Sequence, residues 1–364
     1  MKSFAALGIA AILATLPLVG ATAQEVMGSD SITGAGSTFA YPVLSRWAHD
    51  YRDYIAGRQG YAVAGSGLDD APAKAALDYE PSGSLAGTMR VKDRAVDFGA
   101  SDVPMTSAEL QKAGLGQFPI VIGGVVAVVN VDGVEAGAIS FSGATLADIF
   151  LGKVAKWNDP AIAALNPGLT LPDADIAVVH RSKGSGTTFN FAQYLAKASP
   201  EWQQKIGADT LLEWPVGAAV RGNEGVANAV RDTANSIGYV EYAQAVKSGL
   251  SYARIENGAG QFVSPEPKSF QAAAASADWA KAGDFALLLT ESNGADAYPI
   301  AATVFVLMHK QADAPRRTRN AFRFFQRSLE QGAADAAELG YVPLPAALVR
   351  QIKDYWSANF GADS

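Results

Sequence analysis

The chain has 364 residues, of which 49% are hydrophobic and 18% charged, with no cysteine and a formal net charge of -7. That balance excludes a disordered chain and a small disulfide-stapled scaffold, and the acidic charge counts against nucleic acid or an anionic membrane as a partner. The length exceeds what one hydrophobic core usually serves and predicts two domains.

Residues 1–23 read as a secretory signal. Met1-Lys2 supplies a positive charge, Phe4 to Val19 is an apolar run interrupted by Pro17, and Ala21-Thr22-Ala23 is a small-x-small cleavage pattern before Gln24. The run is short for a membrane span. Cleavage near Ala23 removes Lys2 and leaves the mature chain one charge more negative, so an anionic ligand would have to be held by local geometry against the net field.

Beyond the signal, strand-like and helix-like segments alternate, which predicts an α/β fold with sheets flanked by helices. Ser31 to Thr33 ends a first strand, and Pro42 to Ile55 carries Val43, Leu44, Trp47, Tyr51 and Tyr54 at helical spacing. Val96 to Ala100 predicts a strand and Ser107 to Ala113 a short helix. Phe118 to Asn130 predicts a buried strand broken at Gly123-Gly124, and Thr145 opens a helix through Phe150. A strand is expected over Ile176 to His180, helices over Thr187 to Ala198 and Glu224 to Arg231, and strands over Ile237 to Tyr242 and Thr303 to His309. Two helices close the chain, Arg316 to Leu339, with Phe322, Phe325 and Leu329 on one face, and Pro345 to Trp356.

Three turns rich in small residues run into these helices: Gly34-Ala35-Gly36-Ser37-Thr38-Phe39, Ser82-Gly83-Ser84 and Lys183-Gly184-Ser185-Gly186-Thr187-Thr188. A helix start leaves backbone N–H groups without partners and adds partial positive charge, so such turns suit a small oxyanion. Each alone also reads as an ordinary connecting turn. The first is not a dinucleotide fingerprint, since Phe39 stands at the third glycine position, and the third lacks the Lys-Ser or Lys-Thr that follows the last glycine of a nucleotide phosphate loop. Arg181, at a strand end four residues before Ser185, adds a permanently charged planar fork, which alone reads as a surface ion pair. Asp102, at another strand end, could simply cap a turn. Beside an anion it makes sense only if the anion carries a proton, because an ionised carboxylate accepts hydrogen bonds and donates none.

Several of these stretches together resemble the PstS family, the periplasmic phosphate-binding proteins of Pst-type ABC importers. They are Thr33 to Phe39, Val96 to Asp102, Phe118 to Val126, Gly184 to Thr187, Ile237 to Tyr242, and Trp157 with Leu165-Asn166-Pro167-Gly168, in order over nearly the whole mature chain. The resemblance implies a two-lobed periplasmic binding protein of the class II type, each lobe a central sheet flanked by helices and the two joined by hinge crossings. Lobe 1 is expected over 24–125 and 303–364 and lobe 2 over 126–302, with crossings at Gly124 to Asn130 and Ala301 to Met308. It also implies a periplasmic location, a monomer that binds inorganic phosphate and hands it to an inner-membrane permease with its ATPase subunits, no cofactor or metal, and no catalysis.

Carried over by position, the family's phosphate ligands fall on Thr38, Phe39 (through its backbone N–H), Ser84, Asp102, Arg181, Ser185, Gly186 and Thr187. Between Tyr61 and Tyr79 the chain departs from the family pattern with an insertion. There Gly65-Ser66-Gly67 offers a rival to Ser84, and Leu85-Ala86 replaces smaller residues after that serine. Asp102 would accept from a ligand P–OH that sulfate lacks, which would favour phosphate over sulfate; arsenate, protonated like phosphate, stays open as an alternative ligand. The three histidines, His49, His180 and His309, are scattered, and a structural role for His180 beside Arg181 outweighs a catalytic one.

Overall fold

The computed structural model describes residues 31–61, 77–279, 281–292 and 294–361. The expected signal, Ser66 and most of the insertion lie outside the described residues. In chain order the strands are β1 (Ile32–Gly36), β2 (Leu77–Glu80), β3 (Phe98–Ser101), β4 (Leu115–Asn130), β5 (Ser140–Phe141), β6 (Ala177–Arg181), β7 (Ala218–Val220), β8 (Ser236–Glu241), β9 (Ser251–Tyr252), β10 (Arg254–Glu256), β11 (Phe262–Val263), β12 (Ala301–His309) and β13 (Val342–Pro343). The main sheet runs β2-β1-β3-β12-β4-β8-β6-β7, with β9 and β13 also paired to β4, and β11-β10-β5 forms a small second sheet.

One strand organises the whole. Leu115 to Gly124 of β4 pair with β12, and Val125 to Asn130 pair with β8. The partner changes between two adjacent residues, so β4 runs from one half of the sheet into the other. Its residues are buried from Leu115 through Val129 without alternation, as expected of a strand covered on both faces. The register slips between Val304 and Phe305 opposite Pro119, which has no N–H to give to the ladder.

The expected break at Gly123-Gly124 does not occur: both residues lie inside β4. Their lack of side chains serves packing instead. A Cβ on Gly123 would lie 2.8 Å from the Phe39 ring and one on Gly124 2.2 Å from the Phe270 ring, so two aromatic rings reach the strand backbone here.

Helices cover the sheet where apolar spacing predicts them. The helix Tyr41–Tyr61 buries Val43, Leu44, Trp47 and Tyr51, and Tyr51 meets Phe324 of the helix Pro315–Gln331 edge-on at 5.5 Å. Phe325 packs edge-on against Phe98 at 5.0 Å, and Phe118 against Trp356 of the helix Ala346–Phe360 at 4.9 Å. The C-terminal helices therefore complete the core of the half that the N-terminal strands begin, each such pair adding about 1 kcal/mol beyond area burial. In the other half Phe191, on the helix Gly186–Ala198, stacks on Tyr239 of β8 at 4.5 Å.

The long helix expected over Arg316 to Leu339 is two helices, Pro315–Gln331 and Ala333–Glu338, parted at Gly332. Trp47 Nε1 donates to the Gly332 carbonyl at 3.0 Å, and a Cβ there would fall 2.2 Å from the same nitrogen. The break is where the indole of another helix takes the backbone acceptor.

Candidate functional site

The three small-residue turns lie at carboxyl ends of strands or at helix starts, where ligands bind in open α/β sheets. After β1, Gly36 has φ +137°, and a Cβ there would lie 2.1 Å from the Ala100 carbonyl oxygen, so only glycine fits. Ser37 Oγ then accepts from the Phe39 N–H at 3.0 Å and the Ala40 N–H at 3.2 Å, forming a serine turn. Tyr79 OH donates to the Ser37 carbonyl at 2.8 Å, and Tyr341 OH to the Phe39 carbonyl at 2.7 Å. The second turn is tied to the first by the Gly83 N–H, which donates to the Gly36 carbonyl at 2.7 Å, and it opens the helix Ser84–Lys92. In the third, Ser185 caps the helix Gly186–Ala198 by accepting from the Thr188 N–H at 3.2 Å, and its own N–H donates to the Thr210 carbonyl at 2.7 Å. Gly186 and Thr187 are the first residues of that helix, whose amides have no carbonyl behind them within it.

Asp102 follows β3 and is 2% exposed. Each polar group of the residue but one is engaged by a different segment. Ser37 Oγ donates to Oδ1, the Asp102 N–H donates to Ser84 Oγ at 3.2 Å, and Asn190 Nδ2 donates to the Asp102 carbonyl at 2.9 Å. Oδ2 faces Gly186, where a Cβ would lie 2.8 Å from it and 2.6 Å from Ser84 Oγ. Burial pushes the Asp102 carboxyl up to about 6, although Ser37, Arg181 and Ser84 each pull it down. The group is therefore mostly ionised at neutral pH, an acceptor held in a dry place.

Arg181 ends β6 and is 3% exposed. Its Nη1 donates to Asn223 Oδ1 at 2.7 Å, its backbone N–H donates to Tyr239 OH at 3.2 Å, and Nε has no hydrogen-bond partner. A Cβ on Gly83 would lie 3.9 Å from Nη2, so the guanidinium reaches the second turn. Burial lowers its affinity for the proton, but a guanidinium keeps its charge at any ordinary pH. Two buried hydroxyls, Thr38 Oγ1 and Thr187 Oγ1, also lack partners. Buried polar atoms usually find one, and these three come from three separate segments beside a carboxylate and a helix start.

The structure brings Ser84 and Asp102 against Gly186, which Ser185 and Thr187 flank in sequence, and sets Arg181 near the Gly83 turn; Thr38 and Phe39 follow Ser37, which bonds Asp102. The Phe39 N–H is already given to Ser37 Oγ, so its amide serves the turn as well as anything bound there. Ser185 accepts a backbone hydrogen bond, which leaves its O–H proton available, whereas the Ser84 hydroxyl accepts from the Asp102 N–H and also hydrogen-bonds the Asp102 carboxyl. His180 is buried and stacked on Trp214 at 4.9 Å, with Nδ1 3.2 Å from the Arg181 carbonyl, and burial lowers its pKa. That is a packed imidazole and not a general base poised at an opening. Leu85, a departure in the sequence, packs where the Gly184 hydrogen lies, since a Cβ on Gly184 would be 2.4 Å from Leu85 Cβ.

Sequence reasoning passes over four residues that hold this arrangement. Ser37 is visible only as a member of a small-residue turn and Glu241 only as a member of the stretch Ile237 to Tyr242, with no role assigned to it, and Asn190 and Asn223 stand on separate helices outside every motif. Asn223 Nδ2 donates to Glu241 Oε2, so the chain Arg181–Asn223–Glu241 is continuous.

A model of the PBP superfamily domain matches residues 21–325. The chain is 48% identical over 336 residues to the phosphate-binding protein PstS of Xylella fastidiosa, covering 92% of this chain and 87% of that one. It is 44% identical to PstS of Pasteurella multocida, covering 91% of each. The chain belongs to the PstS family. Among solved structures, a high-affinity periplasmic phosphate-binding protein bound with phosphate superposes with a TM-score of 0.64 at 21% identity, over 89% of this chain and 93% of that one. A putative phosphate ABC transporter substrate-binding protein from Clostridium perfringens superposes at 0.60 and 17% identity, over 86% of this chain and all of that one. These two similarities concern the fold alone. Among the described residues no helix is long and apolar enough to cross a membrane, and no cluster of His, Asp and Glu could hold a metal ion.

Proposed function

We propose that the chain captures inorganic phosphate outside the inner membrane and delivers it to an ABC-type importer, with Thr38, Phe39, Ser84, Asp102, Arg181, Ser185, Gly186 and Thr187 as its ligands. The observation that carries this reading is Asp102: a buried carboxylate, mostly ionised at neutral pH, whose Oδ2 faces Gly186 beside Ser84 Oγ and which feels the Arg181 charge. Such a set suits an anion that is both negative and protonated. The hydroxyls, the helix-start amides and Arg181 donate to the unprotonated oxygens, and Asp102 accepts from the P–OH. Sulfate would set an oxygen without a proton against Asp102 in a dry site, where a buried unpaired charge is costly. The PstS relatives carry phosphate in their names, which supports phosphate over another tetrahedral oxyanion.

The path of β4 supports two lobes, 24–125 with 303–364 and 126–302, hinged where β4 changes partners at Gly124 and Val125 and where the chain enters β12. Thr38, Ser84 and Asp102 then stand on one wall and Arg181 to Thr187 on the other, so a ligand bridging them favours closure. Membership of the PstS family supports delivery to a permease with its ATPase, a periplasmic location and a purely binding role. Competitive calorimetry with phosphate, arsenate and sulfate tests the reading. Tight phosphate binding that sulfate does not compete away is expected, and equal affinity for sulfate would refute it.

A further inference from the structure

Glu241 ends β8, is 1% exposed and stands on the far side of Asn223 from Arg181. The Asn223 amide accepts from Arg181 with its oxygen and donates to Glu241 Oε2 with its nitrogen, so it fixes the guanidinium and the carboxyl in one line. Asn223 is itself 1% exposed and is the second residue of the helix Gly222–Asp232, which leaves the relay little freedom to rearrange. Glu241 Oε1 is buried without a hydrogen-bond partner. An ionised carboxylate with one oxygen undonated in a dry interior costs far more than a protonated one.

The titratable groups facing Glu241 are few. Arg181 lies beyond Asn223, Asp102 acts on it from the other wall, and the Tyr341 phenol senses both carboxylates; β4 presents Val125 opposite it. Burial pushes the Glu241 carboxyl up to about 8; Asn223, its own amide and Arg181 pull it down, and Asp102 adds to the rise. A phosphate dianion arriving beside Arg181 brings more negative charge into the same space.

We propose that Glu241 is a positioning residue that aims Arg181 through Asn223 and takes up a proton from solvent when phosphate binds, so that the guanidinium charge is not shared with a second acid behind it. The inference rests on the phosphate-binding reading. With Glu241 neutral, the ligand and, among the described residues, Asp102 are the anions sharing Arg181. With Glu241 ionised, part of the guanidinium field is spent on it and ligand affinity falls.

Calorimetry of phosphate binding at about pH 8.5, repeated in two buffers of different ionisation enthalpy, reads proton uptake directly; free phosphate there is almost wholly the singly protonated dianion, and Asp102 is ionised before binding. The wild-type chain should take up most of one proton per phosphate and lose affinity up to about tenfold per pH unit further upward. Glu241→Gln should take up none, and its affinity should stay level between about pH 8 and 9.5. No uptake by the wild-type chain, or the same uptake in Glu241→Gln, would overturn the inference, and the wild-type measurement decides alone if the variant does not fold. Absence of any phosphate binding at neutral pH would overturn the proposed function and this inference with it, whereas binding without proton uptake overturns this inference only.

Discussion

Asn190 Nδ2 donates to the Asp102 carbonyl at 2.9 Å, a direct hydrogen bond from the helix behind Ser185 to the turn that carries the acceptor carboxylate. Asn190 also donates to the Gly186 carbonyl one turn back in its own helix, so the amide is held ready on one wall and met by Asp102 from the other. Asn190→Ala leaves the Asp102 carbonyl without that donor only when the walls meet. It should therefore weaken phosphate binding by about 1–3 kcal/mol, roughly 5- to 150-fold, as an unsatisfied buried acceptor does. Calorimetry of the variant beside a melting curve without phosphate separates this from a general loss of stability.

Gly186 is another close point of the same contact. A Cβ there would lie 2.6 Å from Asp102 Cβ and from Ser84 Oγ, distances that force the walls apart. Alanine is well tolerated at the first turn of a helix, so Gly186→Ala should fold with little change in melting temperature without phosphate. Its phosphate affinity should drop by about 1–3 kcal/mol or more from overpacking. An unchanged Kd would mean that the walls need not approach this closely to hold the ligand.

The Asp102 carboxyl fixes a pH dependence. Its pKa in the folded chain, about 6, lies above the ordinary 3.8, so the folded state binds that proton more tightly than the unfolded chain. The unliganded protein should accordingly lose stability as pH rises from about 4 through about 6, by up to about 3 kcal/mol from this group, since each tenfold difference in proton affinity corresponds to about 1.4 kcal/mol. Below about 6 a protonated Asp102 can donate to an unprotonated oxyanion. Sulfate should then bind better as pH falls through that value, and the gap to phosphate should narrow; competitive titration at several pH values reads both.

Gly332 offers a stability test away from the site. A Cβ there meets Trp47 Nε1 at 2.2 Å and the Ser328 carbonyl at 2.7 Å. Gly332→Ala should lower stability by about 1–3 kcal/mol through overpacking while leaving phosphate affinity as it is. Denaturant melts and calorimetry on one preparation check both halves.

Apolar spacing is enough to locate most strands and helices, because burial on one or two faces leaves a periodic mark; the helix Ser107–Ala113 lies where that spacing puts it. Glycines mislead twice, and for one reason. Gly123 and Gly124 read as a break and are continuous strand, while Gly332 reads as helix interior and is a break. In each case a distant aromatic ring, Phe39, Phe270 or Trp47, decides the matter, and local sequence carries no trace of it. At the site, the residues that follow strand ends or open helices are legible from turn chemistry and family resemblance. The supporting amides and acids are not: Asn190, Asn223 and Glu241 act through single hydrogen bonds between elements far apart in the chain.

In the proposed reading, phosphate selectivity turns on Asp102, with Oδ1 taken by Ser37 and Oδ2 facing Gly186. Asp102→Asn keeps the shape and replaces an acceptor-only oxygen with an amide that donates. Calorimetry of phosphate and sulfate on wild type and Asp102→Asn at about pH 8 compares the two ligands when phosphate is mostly the dianion. The predicted result is weaker phosphate binding and a phosphate-to-sulfate ratio at least about tenfold smaller in the variant, a change of about 1.4 kcal/mol. A ratio unchanged by the substitution would contradict the claim that this carboxylate reads the proton on the ligand.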